Sequence, residues 1–320
     1  MPDLPTPPWM KHLFGPEVVA QPLESLEQVV ERRWLELPHV NREENLPEVA
    51  SRREVELWER DGLTTTGELY VPLGDGPFPA FLYMHGGGWC HGSAAAVRRL
   101  AMHIAAQGFV TLNLSYGLAP EHPFPRAVED AVYASRWLAT EGRSLGADGR
   151  VAIGGDSAGA TLACGAITWL GGGASASQLF ESDLAGVAVD FTAALLLYGI
   201  YDFPLLVSSP TGPSGTIELM FNAAYLGQAY IWRHRDPLVS PILATNLASF
   251  PPCYVACGDQ DYLLPQSLAL TGALAAAKVP VTLSVVEGVS HTFAQLDLAL
   301  PAAAEEVERE YAWLRRIHAT

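Results

Sequence analysis

Gly155-Asp156-Ser157-Ala158-Gly159 sets glycines on both sides of a serine, directly after the apolar run Val151–Ile153 and directly before the alanine-rich stretch Ala158–Leu170. Glycine costs stability inside regular structure and is kept where the backbone needs positive φ or a close approach. A strand ending near Ile153 and a helix starting at Ala158 would meet in a sharp turn, with the Ser157 hydroxyl lifted out of the sheet. The simpler reading of this motif alone is a glycine-rich turn with a helix-capping serine. The sharper one is a nucleophile for acyl transfer. Such a serine needs a base to take its proton, a carboxylate to orient that base, and N–H groups aimed at the developing oxyanion.

Each requirement has a candidate. A nucleophile on such a turn is followed along the chain by the acid and then the histidine, and only His234, His291 and His318 lie after Ser157. His318 falls in the terminal helical pattern and His234 at the edge of an insertion. His291 follows the last predicted strand, where a loop can hang over the strand ends. Asp259 and Asp261 follow the strand before it. Aspartate also favours turns, so one of the two reads as a turn former, and the residues alone leave open which. His85-Gly86-Gly87-Gly88-Trp89 follows an earlier strand, and its three glycines let bare N–H groups converge. A phosphate-cradling loop is the rival for this stretch, but the G-x-x-x-x-G-K-[ST] pattern and the acidic residue of a dinucleotide fingerprint are both absent.

The elements that must position these groups are legible as alternation. Short strands are predicted at Val55–Asp61, Thr66–Leu73 and Phe78–His85, then at Phe109–Tyr116, Val151–Gly154, Ala193–Gly199, Cys253–Gly258 and Thr282–Gly288. Between the later strands, helical periodicity runs over Phe124–Thr140, Ala158–Leu170 and Gln266–Lys278, and it closes the chain over Ala302–Ile317. Apolar strands alternating with helices predict a mostly parallel sheet covered on both faces. Two stretches break the rhythm: a Gly/Ala/Ser loop over 171–191 and an insertion over about 204–235, rich in aromatic and apolar residues. Residues 1–50 are proline-rich and charged, with an amphipathic helix over Leu23–Leu37. Trp9, Trp34, Phe221, Tyr225, Tyr230 and Trp232, from these two regions, would suit an apolar lid.

The chain of 320 residues is 49% hydrophobic and 17% charged, ample for a buried core, and its net charge is −16. That balance argues against a nucleic-acid partner, which needs clustered Lys and Arg. The first residues lack the basic start and apolar stretch of a signal peptide, and the apolar runs are too short to span a bilayer, so a cytoplasmic protein without stable membrane insertion is expected. The four cysteines have none of the paired spacings of a zinc site. Cys253 and Cys257 share one predicted strand, where four residues separate Cα atoms by roughly 13 Å, too far for a bridge. Free thiols fit a reducing compartment.

Taken in order, HGGGW (85–89), YGLAPEHPFP (116–125), GDSAGA (155–160), DPLVSP (236–241) and HTF (291–293) resemble the hormone-sensitive-lipase-like esterases of the GDSAG branch. The likeness covers about residues 55 to 315. It implies an α/β-hydrolase fold of eight mostly parallel strands, a catalytic domain over 51–320, and a helical cap from residues 1–50 and the insertion. It implies a triad of Ser157, Asp261 and His291, and an oxyanion hole from the N–H groups of Gly87, Gly88 and Ala158. Trp89, His91 and Tyr225 are the expected pocket residues. Members cleave carboxylic esters with short to medium acyl chains, without metal or cofactor, and often pair as homodimers along the last strand. An amidase or carbamate hydrolase could use the same triad, and some relatives are receptors that have lost the histidine. This chain keeps His291. It departs from the family at Gly117, where an arginine is usual, over Tyr262–Gln266, where D-P-L-x-D-E is usual, and at Cys90 and His91, where the loop is normally more apolar. Glu121, His122 and Asp130 read as structural, bracing the loop after the fourth strand against the Ser157 turn.

Overall fold

The computed structural model describes Gln28, Glu43 and residues 45–173, 182–208, 215–227 and 233–318. Apart from the helical Gln28, the expected helix over Leu23–Leu37 lies outside the described residues, as do Trp9, Trp34, Tyr230 and Trp232.

Eight strands form one sheet in the order β1-β2-β4-β3-β5-β6-β7-β8. They are β1 (Ser51–Arg60), β2 (Leu63–Val71), β3 (Phe78–Met84), β4 (Val110–Ser115), β5 (Ala147–Asp156), β6 (Asp190–Leu197), β7 (Cys253–Gly258) and β8 (Val281–Val286). β1 and β2 form an antiparallel hairpin, and β2 pairs antiparallel with β4. The Asp61-Gly62 turn of the hairpin takes positive φ at both residues, 53° and 77°, the geometry an Asp-Gly pair supplies in a two-residue loop. From β4 to β8 every pairing is parallel. β7 is buried along its whole length, as a strand covered on both faces must be, whereas the charged edge strand β1 is mostly exposed.

Seven helices are described: α1 (Arg98–Ala106), α2 (Arg126–Ala139), α3 (Ala158–Leu170), α4 (Phe203–Ser208), α5 (Gly215–Leu226), α6 (Leu264–Ala276) and α7 (Pro301–His318). The strand alternation divides the core. Leu82 and Met84 of β3 pack with Val128 and Val132 of α2, Leu162 of α3 and Leu270 of α6. Phe81 and Tyr83 face the other way, toward Leu100 and Ile104 of α1 and Val307, Tyr311 and Leu314 of α7. Helix α1 is not among the helices the sequence pattern names; α4 and α5 occupy the insertion. Among the described residues, no helix is long and apolar enough to cross a membrane, and the four cysteines are buried and form no disulfide.

Candidate active site

Parallel strands deliver their C-terminal ends to one edge of the sheet, and the candidate residues lie there. β3 and β5 run side by side with Met84 opposite Gly155. A Cβ built on Gly155 would lie 2.2 Å from the Met84 carbonyl oxygen, and one on Gly159 would lie 2.0 Å from the same atom. Both glycines of G-x-S-x-G are therefore fixed by contact with the end of β3. Between them Ser157 adopts φ 52° and ψ −117°, a region costly for a residue with a side chain and typical of functional turns. Its N–H donates to the Leu197 carbonyl of β6 at 2.8 Å. The side chain makes no capping bond to α3, which removes the simpler reading of a capping serine.

The hydroxyl instead meets His291. Ser157 Oγ lies 3.0 Å from His291 Nε2, and His291 Nδ1 lies 2.8 Å from Asp261 Oδ2. A carboxylate only accepts, so Nδ1 carries the proton and Nε2 presents its lone pair to the serine O–H. All three side chains are buried. The second Asp261 oxygen accepts the Leu263 N–H at 2.8 Å. Asp259 points elsewhere, accepting the Gly288 N–H at 2.8 Å on the surface; it is the turn former. His234 and His318 are not drawn in: the His234 carbonyl accepts from Ser240, and the His318 ring packs edge-on against Phe109.

The His85–Trp89 turn lies against this group. Gly87 and Gly88 take positive φ, 121° and 59°. A Cβ on Gly87 would meet the His91 carbonyl oxygen at 2.4 Å, and one on Gly88 would meet the Phe221 ring at 2.5 Å. Among the described residues, the N–H groups of Gly87, Gly88 and Ala158 donate to no other backbone group. The turn is held from beneath. Tyr116 stacks on His85 at 4.3 Å and donates its hydroxyl to the His85 carbonyl at 2.8 Å. His85 Nδ1 lies 2.7 Å from the Gly86 carbonyl, and burial pushes its pKa down to about 4, so it is a neutral structural donor.

The expected pocket residues are buried where α5 meets the turn. Trp89 stacks on Tyr225 at 4.4 Å and 9°, and His91 packs against the Phe221 ring at 5.1 Å. The Phe124 N–H donates to the Tyr225 carbonyl at 2.7 Å, which ties α5 to the loop after β4.

The departures from the family pattern have physical counterparts. A Cβ on Gly117 would lie 2.8 Å from Arg126 Cγ, so the Arg126 stem fills the space beside this glycine. Its Nε donates to Asp130 Oδ1 at 2.9 Å. Asp130 also accepts from Trp58 Nε1 at 2.9 Å, Thr65 Oγ1 at 2.8 Å and the Gly117 N–H at 2.8 Å. Asp130 thus braces the loop after β4, but against the β1–β2 hairpin and not against the Ser157 turn as the sequence led us to expect. His122 lines Gly117, its Cβ 3.1 Å from a Cβ built there, and its N–H donates to the Leu118 carbonyl at 2.9 Å. Tyr262, in place of the usual proline, sets its ring 5.3 Å from that of His291. Gln266 Oε1 accepts the N–H groups of Tyr201 and Asp202 at 3.0 and 2.7 Å, tying α6 to the segment after β6 through a neutral amide.

Sequence reasoning passed over Asp156 and Gln295. Asp156 is fully buried, accepting from Tyr83 Oη at 3.2 Å, the Gly86 N–H at 3.1 Å and Gln295 Nε2 at 3.0 Å. The motif containing Asp156 was the available signal; nothing local marks Gln295. Among the described residues, no three His, Cys, Asp or Glu side chains are grouped to hold a metal.

The sheet order and the strained serine turn between β5 and α3 define an α/β-hydrolase. The chain belongs to the alpha/beta hydrolase fold family, whose model matches residues 81–295, and the hormone-sensitive-lipase-like resemblance carried by its motifs holds. It is 32% identical over 243 residues to the esterase LipI of Mycobacterium tuberculosis, covering 74% of this chain and 72% of that one. It is 30% identical over 269 residues to the ethyl acetate hydrolase of Pseudomonas putida, covering 79% and 78%. Among solved structures, an esterase from Pyrobaculum calidifontis superposes with a TM-score of 0.78 at 26% identity, covering 94% of this chain and 95% of that one.

Proposed function

We propose that this protein is a serine carboxylic ester hydrolase acting on short- to medium-chain acyl or aryl esters through an acyl-enzyme. The observation that carries this reading is the continuous path from Asp261 to His291 to Ser157, at 2.8 and 3.0 Å. Ser157 Oγ attacks the ester carbonyl as His291 Nε2 takes its proton. The Asp261 carboxylate holds the ring and stabilises the imidazolium. The N–H groups of Gly87, Gly88 and Ala158 receive the oxyanion, where one donor is worth about 3–4 kcal/mol of barrier. His291 then returns the proton to the leaving alcohol, and water activated by the same ring releases the acid. The names of the relatives, which include an ethyl acetate hydrolase, support esters as the substrate class.

In the same reading, residues 1–50 and the insertion form a cap over a catalytic domain of residues 51–320, with Trp89, His91 and Tyr225 shaping the acyl pocket. The four buried thiols fit a cytoplasmic setting, and β8, the last strand of the sheet, offers a face for a homodimer.

The test is hydrolysis of p-nitrophenyl butyrate beside its matched anilide, with labelling of the serine by a fluorophosphonate. Wild-type protein is expected to cleave the ester faster and to take the label. Ser157→Ala is expected to lose both while keeping its fold. Turnover in pure Ser157→Ala above a few per cent of wild type would sink the assignment.

A further inference from the structure

Three segments converge on one carboxylate behind the serine. Asp156 precedes Ser157 at the end of β5. Gly86 belongs to the glycine turn and donates its N–H to Asp156 Oδ1 at 3.1 Å. Gln295, four residues after His291, donates its side-chain amide to Oδ2 at 3.0 Å. Tyr83 of β3 adds a third donor at 3.2 Å. The fit is tight: a Cβ on Gly86 would lie 2.7 Å from Oδ2. Asp156 is therefore hydrogen-bonded to both the turn before Gly87 and the loop carrying His291, while being covalently joined to the serine.

We infer that Asp156 and Gln295 are positioning residues: their hydrogen bond sets the spacing between the His291 loop and the glycine turn, and so acts on turnover and not on substrate binding. The inference rests on the ester hydrolase reading. The physical reason is a difference in reach. The Asp261–His291–Ser157 path fixes the base against the nucleophile, but none of its bonds touches the turn. Misplacing oxyanion donors by a fraction of an ångström removes stabilisation that exists only in the transition state, which lowers kcat and leaves KM alone. Gln295 lies in the short helix Phe293–Leu296, so its pull on Asp156 is transmitted directly to the residues after His291. Burial pushes the Asp156 pKa up to about 6, against the lowering effect of its three donors. The titratable groups facing it are Tyr83, Tyr116, Tyr198 and His291.

The experiment measures kcat and KM for p-nitrophenyl butyrate from pH 5.5 to 8.5 in wild type, Gln295→Leu and Gln295→Glu, with melting temperatures alongside. Gln295→Leu is expected to lower kcat by about tenfold with KM within about twofold and little change in melting. Gln295→Glu sets a second carboxyl against Asp156. While the pair shares a proton, the introduced carboxyl donates as the amide did; once both ionise, donor becomes repeller. Its kcat should therefore exceed that of Gln295→Leu at acid pH and fall to or below it at alkaline pH. A purely structural role would not produce that crossing. Gln295→Leu with wild-type kcat, a parallel change in KM, or pH profiles for the two variants that never converge would overturn the inference. Inactive wild-type protein that also refuses the fluorophosphonate would instead overturn the esterase reading.

Discussion

Asp259 and Asp261 stand two residues apart at the end of β7, yet their carboxylates serve different partners: Asp261 meets His291 Nδ1 at 2.8 Å, and Asp259 accepts the Gly288 N–H at 2.8 Å. Along a continuing strand the two side chains would have faced the same way. The strand ends at Gly258, and the Asp261 N–H donates back to the Gly258 carbonyl at 3.2 Å, closing a turn that swings Asp261 inward. Losing the orienting carboxylate of a triad costs roughly 10⁴-fold in kcat. Asp261→Asn should show a loss of that order, and Asp259→Asn should stay within a few-fold of wild type. Steady-state kinetics on the two purified variants decide it, and a reversed order would reassign the acid.

A second expectation concerns the loop after β4. Arg126 is buried and donates to the Arg60 carbonyl at 2.7 Å, the Leu63 carbonyl at 3.3 Å, Thr65 Oγ1 at 2.9 Å and Asp130. Its guanidinium also lies 5.2 Å from the Trp58 ring centroid. Removing one partner of a buried pair strands the other charge and costs about 3–5 kcal/mol. Arg126→Ala should therefore destabilise by about that amount in urea denaturation. Arg126→Lys should recover only part of it, since an ammonium cannot reproduce the planar fork. The loop also carries Ala119, whose N–H donates to the Trp89 carbonyl at 2.9 Å, so activity should fall with stability. Unchanged denaturation midpoints would show that the network contributes nothing.

The third expectation follows from the raised pKa of Asp156. In the folded protein this carboxyl holds its proton up to about pH 6, against 3.8 as the unperturbed value. Between those values the native state binds more protons than the unfolded one, so this group's contribution to stability falls as pH rises through the window. A difference of that size corresponds to about 3 kcal/mol. Asp156→Asn removes the buried charge. It should gain stability over wild type of up to that order above pH 7, with the gain fading toward pH 4. Glu310, also pushed up by burial, contributes with the same sign in both proteins and cancels in the comparison. The measurement is the difference in unfolding free energy between variant and wild type across pH 4–8. A difference that is flat, or that grows toward acid, would contradict the assignment.

These residues mark where the sequence was legible and where it was not. All eight strands could be read because their patterning is local: the inner strands are runs of buried apolar residues, and the edge strand β1 mixes charged with apolar ones. Ser157 and His291 could be read because glycines mark the serine turn and chain order restricts the histidines. Helix α1 has no local start signal, since its N-cap is Val97, which makes no side-chain capping bond. Its end was marked by Gly108 at φ 95°; the Ser93 hydroxyl, which accepts the Ala96 N–H at 3.3 Å, caps the short turn Ala94–Val97 before the helix. The bond between Asp156 and Gln295 joins residues 139 apart in the chain, and only the sheet order β5-β6-β7-β8 brings the end of β5 and the segment after β8 to one edge. Asp130 was read as structural but assigned to the wrong partner, since its link to Trp58 and Thr65 depends on β2 lying beside β4.

The last expectation concerns chain length. Phe221 of α5 stands directly over Gly88: a Cβ on that glycine would meet its Cδ2 at 2.5 Å and its Cγ at 3.1 Å. The same ring packs against His91, so it occupies space beside the glycine turn. Phe221→Ala would vacate that space while leaving the Trp89–Tyr225 stack beneath it in place. Each methylene buried there is worth about 0.8 kcal/mol, close to fourfold in kcat/KM. Across p-nitrophenyl esters from acetate to octanoate, the variant should shift its preference toward the longer chains by about one order of magnitude, with acetate turnover changing little. A uniform fall across the whole series would mean that Phe221 supports the glycine turn and does not measure the acyl chain.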